Sequence, residues 1–182
     1  MSSFPIDGME LFFPDWGHVD DRGIVYTTSF KFAQQTNKDF VSKFVEEKVS
    51  ISKTNTMRGF HGDSHTGKLF TCFSGKIKMV VVDRRKGSKT FFRGGNKRGH
   101  FSTVLSADRN THLYIPPGCL NAHYVIEGPA ALHYKTTEKY KGISFQETVR
   151  WDDTIIDGFP EVTEPIVSER DAQGISLEEI IL

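Results

Sequence analysis

The sequence lacks the features that mark several classes of protein. It has only two cysteines, Cys72 and Cys119, which is too few for a disulfide framework and does not give the spacing of a metal site. No stretch approaches the roughly 20 apolar residues of a membrane-spanning helix. Residues 1–15 have neither the basic flank nor the apolar run of a secretory signal. We therefore expect a cytoplasmic protein with two buried, reduced thiols and no membrane association.

The chain also lacks an excess of charge of either sign. Its 23 lysines and arginines balance 23 aspartates and glutamates. A balanced protein has no overall field that would gather nucleic acid or anionic membranes. Any anionic ligand must therefore be bound by a local cluster of cations, and we expect no nucleic-acid partner.

Long helical patterns are scarce, whereas aromatic residues and glycine are plentiful. The chain has 15 Phe and 16 Gly, which suit pleated sheets joined by tight turns. Short strands recur at roughly ten-residue spacing with Gly and Pro between them, which is typical of a sandwich or barrel. The predicted strands are Lys68 to Phe73, Lys76 to Arg84, Thr111 to Ile115, Ala122 to Ile126 and Ala130 to Thr136, with a turn at Ser74-Gly75. We predict a single all-β domain over residues 1–182, a jelly-roll β-barrel of the cupin type.

Two short peripheral helices are predicted outside this barrel. One covers Lys38 to Phe44, with Asn37 as a possible N-cap. The other covers Ser176 to Ile181, where Ser176 and Glu179 have the spacing of a capping box.

Strand parity directs one lysine and one tyrosine toward the barrel interior. Lys68 shares a strand face with Phe70 and Cys72, and Tyr134 shares one with Leu132. Buried polar groups are costly without partners, so such residues often line a site. Alternatively, Lys68 reaches water from its strand end and Tyr134 is an ordinary core residue. Parity alone favours the second interpretation.

His61 lies in a glycine-flanked stretch, between Gly59 and Gly62. His65 follows four residues later, but the glycines argue against a helix that would align the two rings. No His-x-His run with a nearby glutamate is present, so the usual metal-binding pattern of cupins is missing. The sequence therefore predicts no metal.

A series of short motifs in the right order gives the chain a resemblance to a known family. The matching runs are Asp20-Asp21-Arg22-Gly23, Met57-Arg58-Gly59-Phe60-His61, Gly67-Lys68-Leu69-Phe70-Thr71-Cys72, Val82-Asp83-Arg84-Arg85, Leu113-Tyr114-Ile115-Pro116-Pro117-Gly118, Leu132-His133-Tyr134-Lys135, Trp151-Asp152-Asp153 and Ser168-Glu169-Arg170-Asp171. Together they resemble the dTDP-4-dehydrorhamnose 3,5-epimerases over most of the chain. The resemblance implies a cofactor-free isomerase, usually a homodimer, acting on a nucleotide-diphosphate sugar.

The resemblance also implies roles for individual residues. His61 is the expected general base, and Asp171 orients its ring. Lys68 is expected beside the C4 carbonyl of the sugar, and Tyr134 is expected to be the acid on the opposite face. The diphosphate is expected to meet Arg58, with help from Arg22. These residue types suit the chemistry, because a cation near the ketone oxygen stabilises the enolate left by proton removal.

Several positions depart from the family pattern. Gly62 and Asp63 replace an aromatic residue and a glutamine after the expected base, Asn121 replaces a histidine, and His123 follows two residues later. Lys48 stands where the family has an asparagine. We expect Lys48, Asp63, Asn121 and His123 to touch the substrate. The departures resemble a branch acting on GDP-linked 4-keto-heptoses in capsule polysaccharide biosynthesis, so the sequence predicts such a substrate, epimerised at C3, C5 or both.

Other functions remain open at this point. The chain could be the dTDP-4-keto-6-deoxyglucose 3,5-epimerase itself. It could also be a 3,4-ketoisomerase, a metal-dependent cupin enzyme or a cupin that binds sugars without catalysis. The set of His61, Asp171 and Tyr134 argues against simple binding, which needs no acid–base pair.

Overall fold

The computed structural model describes residues 5–13, 18–25, 44–95 and 98–181. Within this part of the chain the strands are β1 (Glu10–Phe12), β2 (His18–Asp20), β3 (Gly23–Val25), β4 (Glu46–Ser52), β5 (Met57–Gly62), β6 (Lys68–Asp83), β7 (His100–Ser106), β8 (His112–Ile115), β9 (Cys119–Thr136) and β10 (Glu147–Thr148). The α-helices are α1 (Glu169–Ala172) and α2 (Leu177–Ile181), and two 3₁₀ turns cover Ala107–Arg109 and Ile143–Phe145. All the strand pairs are antiparallel, which confirms the all-β prediction.

Two long strands organise the barrel. β6 and β9 pair along their whole length, from Lys68 opposite Thr136 to Asp83 opposite Cys119. The first half of β6 also pairs with β8 and its second half with β7. Likewise, β9 pairs with β5 near its start and with β4 near its end. β6 and β9 therefore lie side by side at the centre of one sheet of eight strands, in the order β1-β8-β6-β9-β5-β10, with β4 and β7 added as branches.

Apolar side chains form two clusters on opposite sides of the second half of β6. Ile77, Met79 and Val81 point into the barrel and pack with Phe70 and Leu132. The alternate residues Val80 and Val82 point outward and are covered by the C-terminal segment, which contributes Ile156, Phe159 and Leu177 to the second cluster. Because that segment packs on the outside of the barrel, it carries α1 up against β5.

The predicted turn at Ser74-Gly75 is wrong, because β6 continues through it. The ladder between β6 and β9 is irregular from Cys72 to Ile77, so this stretch is a bulge. Gly75 has a φ of 73°, and a Cβ there would lie 2.3 Å from the carbonyl oxygen of Glu127. Gly128-Pro129 similarly lies inside β9. Glycine lets the strand bend here without ending it.

The helix predicted at the C-terminus is present as α2. The backbone N–H of Ser176 donates to the Glu179 carboxylate at 2.8 Å, which is one half of the expected capping box. The helix predicted at Lys38 to Phe44 lies outside the described residues, except for Phe44 itself, which is not helical. None of the helices that the structure describes is long and apolar enough to cross a membrane.

Candidate active site

One cavity of about 680 Å³ opens between β4, β5, β9, the segment after β9 and α1. It brings together nine of the ten residues predicted for the site: Lys48, Arg58, His61, Asp63, Lys68, Asn121, His123, Tyr134 and Asp171. Arg22 does not line it. That side chain lies on the β2–β3 hairpin, is 87% exposed and pairs with Asp20, so the structure does not join Arg22 to this cavity.

His61 and Asp171 form a hydrogen-bonded pair at the cavity wall. His61 lies in β5, and its Nε2 is 2.6 Å from Oδ1 of Asp171 in α1. The other carboxylate oxygen accepts from the backbone N–H of Gly59 at 3.3 Å. Burial alone would raise the pKa of Asp171, but these hydrogen bonds hold it below its ordinary value. Asp171 therefore stays ionised and keeps Nε2 protonated, which leaves Nδ1 of His61 as the basic nitrogen.

The backbone beside His61 requires glycine. Gly59 has a φ of 109°, and a Cβ at this position would lie 2.5 Å from the carbonyl oxygen of Asn121 in β9. From this position the Gly59 N–H also donates to Asp171. Local backbone geometry therefore explains why a glycine stands between Arg58 and Phe60.

Lys68 is buried at the start of β6, with its ammonium group inside the cavity. Nζ donates to Oδ1 of Asn121 at 2.8 Å and to the backbone carbonyl of His61 at 3.2 Å. Burial lowers the pKa of Lys68 from 10.5 to about 8. Parity had left open whether this lysine reaches water, and the structure shows that it does not. The residue thus offers a fixed cation to the cavity at neutral pH.

Tyr134 lies on the same inner face, across the β6–β9 ladder. Its ring packs on Phe70 with the centroids 5.4 Å apart, and its register neighbour in β4 is Lys48. Burial raises the pKa of Tyr134, so its hydroxyl remains protonated at neutral pH. The side chain thus lines the cavity from β9 with a phenol that carries its proton.

A cluster of cations and aromatic rings forms another part of the lining. The Nε of Arg58 donates to Oγ of Ser52 at 3.0 Å. Nζ of Lys48 pairs with Glu46 at 2.9 Å and lies 4.5 Å from the centre of the Tyr140 ring. The segment after β9 adds Lys139, Lys141 and Phe145. Sequence reasoning missed Tyr140 and Phe145, because a lysine-flanked tyrosine after a strand carries no signal by itself.

The residues that depart from the family pattern have distinct surroundings. Asp63 accepts the backbone N–H groups of His65 and Thr66 at 2.9 and 2.7 Å and so closes a turn at the cavity edge. His123 is buried opposite Arg58, and burial lowers its pKa to about 3. The His123 ring is therefore neutral and cannot attract an anion by charge.

No group of three or more His, Cys, Asp or Glu side chains that could hold a metal ion occurs in the ranges that the structure describes. The chemistry available in the cavity is thus an imidazole base with a carboxylate partner, a buried ammonium, a phenol and a group of arginines and lysines.

Comparisons with known proteins agree with this chemistry. Residues 3–179 match the family model for dTDP-4-dehydrorhamnose 3,5-epimerase. The chain is 32% identical to the dTDP-4-dehydrorhamnose 3,5-epimerase of Salmonella typhimurium over 171 residues, which cover 90% of this chain and 87% of that relative.

Solved structures give the same result. The fold is similar to a 3′-monoepimerase from Streptomyces bikiniensis in complex with dTDP-quinovose, with a TM-score of 0.84, 27% identity and coverage of 100% of this chain and 92% of the other. It is also similar to the Legionella pneumophila dTDP-6-deoxy-D-glucose-3,5-epimerase in complex with dTDP-4-keto-L-rhamnose, with a TM-score of 0.82, 26% identity and coverage of 96% and 90%. The chain therefore belongs to the dTDP-4-dehydrorhamnose 3,5-epimerase family, has its cupin fold, and is an epimerase of nucleotide-linked 4-keto sugars.

Proposed function

We propose that His61 removes a proton from the carbon next to the 4-keto group and that Tyr134 returns one from the opposite face. The observation that carries this proposal is the 2.6 Å bond between His61 and Asp171 inside a cavity that also holds Lys68 and Tyr134. The C–H bond breaks, its electron pair moves into an enolate, and the proton goes to Nδ1 of His61. The phenol of Tyr134 then protonates the carbon, which inverts the centre.

Lys68 supplies the electrostatic help that this step needs. A C–H next to a ketone is acidic only because the negative charge passes to the ketone oxygen. A buried cation near that oxygen contributes roughly 3–4 kcal/mol to the transition state. Since the sugar neither gains nor loses electrons, the reaction requires no redox cofactor, and we expect chelators to leave it unchanged.

The cation cluster suits the diphosphate of the substrate. Arg58 offers a planar set of donors that matches phosphate oxygens, and Lys48 adds a second charge close by. The exposed rings of Tyr140 and Phe145 offer a surface on which a nucleobase can stack. His123 and Asn121 lie deeper, where the sugar would sit.

The nucleotide has two candidates. The Salmonella typhimurium relative is named for a dTDP sugar, and the two similar structures described above hold dTDP-linked sugars. Both findings support a dTDP-linked 4-keto-6-deoxy sugar as the substrate. The second candidate, a GDP-linked 4-keto-heptose of capsule biosynthesis, is supported by the departures at Asp63, Asn121 and His123, all of which line the cavity. No comparison supports the GDP branch specifically, so the dTDP sugar is the first choice.

The decisive experiment follows solvent deuterium in the substrate. Purified protein is incubated in deuterated water with dTDP-4-keto-6-deoxyglucose or GDP-4-keto-heptose, and deuterium at C3 and C5 is counted by NMR. We expect incorporation with the wild type and none with His61→Asn, which removes the base but keeps a similar shape. Exchange that persists in His61→Asn would remove His61 from the mechanism. The sugar in which the wild type incorporates deuterium identifies the nucleotide of the substrate.

The same samples discriminate the remaining functions. A 3,4-ketoisomerase would yield a product with a migrated carbonyl rather than an inverted centre. A metal-dependent cupin would lose activity with chelator and contain stoichiometric metal. A sugar-binding cupin would bind the nucleotide sugar with no deuterium incorporation.

We further propose that the chain forms a homodimer through the outer face of β4, β6 and β9. Apolar side chains are exposed on this face, with Val49 at 59%, Ile51 at 72% and Phe73 at 38%. On the same face Glu47, two residues before Val49, pairs with Lys135 at 2.7 Å, so the face carries both signs of charge. A second copy of the same face suits this pattern, because an isologous contact joins identical surfaces, and each charge on them can meet its opposite only if the face carries both signs.

A further inference from the structure

Arg170 is a cation of the cavity wall to which neither the sequence motifs nor the proposed mechanism gives a role. It precedes Asp171 in α1 and lines the same cavity. Its Nε donates to Oγ1 of Thr148 at 2.9 Å, and its Nη2 is buried without a hydrogen-bond partner in the described part of the chain. A buried guanidinium nitrogen without an acceptor is rare and calls for an explanation.

Arg170 also has no carboxylate within ion-pair distance among the described residues. In contrast, four arginines elsewhere each pair with an acidic side chain: Arg22 with Asp20, Arg84 with Glu147, Arg85 with Asp83 and Arg150 with Asp152. A partly buried cation without a counter-ion is costly to the fold. The position is therefore better suited to an anion that arrives with the substrate than to a structural ion pair.

Two contacts fix Arg170 beside His61. Its neighbour Asp171 bonds the His61 ring, and its own partner Thr148 lies directly opposite His61 in the ladder between β10 and β5. Arg58, by comparison, is anchored separately on Ser52 of β4. Arg170 is therefore held at the part of the cavity where the proton is removed. In agreement with this placement, its charge adds to burial in lowering the pKa of Lys68.

Two cations that face one cavity repel each other until a negative charge lies between them. The ketone oxygen of the substrate is neutral before the reaction and becomes negative as His61 takes the proton. A pair of fixed cations thus favours the transition state over the bound substrate, which raises kcat rather than affinity. Arginine keeps its charge at any pH that proteins tolerate.

We propose that Arg170 is a second cation for the oxygen of the 4-keto group, and that it acts with Lys68 on the enolate formed by His61. This inference rests on the proposed function. The bond changes are those of the epimerase step, and Arg170 gives up no proton.

The test compares Arg170→Met and Arg170→Lys with the wild type by deuterium incorporation at C3 and C5, with kcat and KM measured for the sugar that the wild type exchanges. We expect Arg170→Met to lower kcat by roughly 10²–10³-fold while KM changes less than about threefold. The kcat of Arg170→Lys, which restores a charge, should be at least about tenfold higher than that of Arg170→Met. Arg150→Met is the matched control, because Arg150 is half exposed and pairs with Asp152, and it should exchange at the wild-type rate.

Thermal melting of each variant separates this role from a structural one. If Arg170→Met is unfolded, Arg170→Lys decides: a folded lysine variant should exchange more slowly than the wild type at an unchanged KM. A full exchange rate in a folded variant, or a raised KM with unchanged kcat, would overturn the inference. A wild type that incorporates no deuterium would overturn the proposed function instead, so the two failures are distinguishable.

Discussion

Lys68 combines a cost to the fold with a proposed role in catalysis. Its pKa of about 8 lies below the ordinary 10.5 because the ammonium is buried, with Asp63, Cys119 and Arg170 as the charged or titratable groups around it. At neutral pH the protonated group is retained at a cost of about 3 kcal/mol. The hydrogen bonds from Nζ to Asn121 and to His61 offset part of this cost.

Lys68→Met should therefore abolish exchange while leaving the protein at least as stable as the wild type at pH 7. Removing the charge stabilises the core, although Oδ1 of Asn121 loses its donor at a cost of about 1–2 kcal/mol. Denaturant unfolding measures the stability, and Lys53→Met, at an exposed site, should change it by less than about 0.5 kcal/mol. A methionine variant that exchanges normally would exclude Lys68 from the reaction.

The pH dependence of the wild type follows from the same group. The folded state releases the Lys68 proton near pH 8, whereas the unfolded chain keeps it up to about pH 10.4. The free energy of unfolding of the wild type should therefore rise as the pH increases from about 8 to 10.4. The Lys68→Met variant should not show this rise. The exchange rate should fall over the same range because the ammonium is lost. A flat rate from pH 7 to 10 would contradict a cationic role.

Tyr134 allows removal of the proton to be separated from inversion. Tyr134→Phe keeps the packing on Phe70 but removes the hydroxyl that would return a proton. We expect inversion to fall by roughly 10²–10⁴-fold, more than the exchange catalysed at the His61 face. NMR of the product against the deuterium content of the recovered substrate measures both. Equal losses would argue against Tyr134 as the acid of the opposite face.

At the scale of elements, Asp153 joins the C-terminal helix to the loop before it. One carboxylate oxygen accepts the backbone N–H groups of Ile155 and Ile156, and the other accepts from the Ser176 hydroxyl at 3.2 Å and the Leu177 N–H at 2.9 Å. This side chain is buried, and Leu177 at the start of α2 packs into the second core. Asp153 thus fixes the segment that carries α1 and Asp171.

Asp153→Ala should lower the free energy of unfolding by about 2–4 kcal/mol, since several donors lose a charged acceptor. The adjacent Asp152→Ala is the matched control. It removes only an exposed ion pair with Arg150 and should cost less than about 1 kcal/mol. Denaturant unfolding measures both, and equal losses would show that Asp153 is no anchor.

At the level of assembly, the proposed homodimer places the exposed outer face of β4 in the contact between the two copies. A charge placed at the centre of an apolar contact is strongly unfavourable, so Ile51→Lys should convert a dimer to a monomer. Ile166→Lys, at a position 54% exposed in another part of the chain, should leave the assembly unchanged. Light scattering after size-exclusion chromatography measures the mass, and we expect twice that of one chain for the wild type. A monomeric wild type would refute the proposed dimer.

The sequence by itself determined which chemical groups are present and which strand face most of them occupy. Parity placed Lys68 and Tyr134 on inward faces because side chains alternate along a strand whatever the tertiary context. Short motifs identified His61 and Asp171, and periodicity with Gly and Pro indicated an antiparallel barrel. The turn predicted at Ser74-Gly75 was wrong because a glycine in a bulge and a glycine in a turn look alike in sequence.

Only the tertiary structure decided which of these groups meet. His61 and Asp171 are 110 residues apart, and Lys68 and Asn121 are 53 apart, so the pairing of β5, β6 and β9 and the return of the C-terminal segment create both contacts. The same return brings Arg170 to the cavity, whereas Arg22 stays on the β2–β3 hairpin, outside it. Burial, which lowers the pKa of Lys68 and raises that of Tyr134, is likewise a property of the packed barrel. Desolvation depends on neighbours from distant parts of the chain, and local sequence does not encode them.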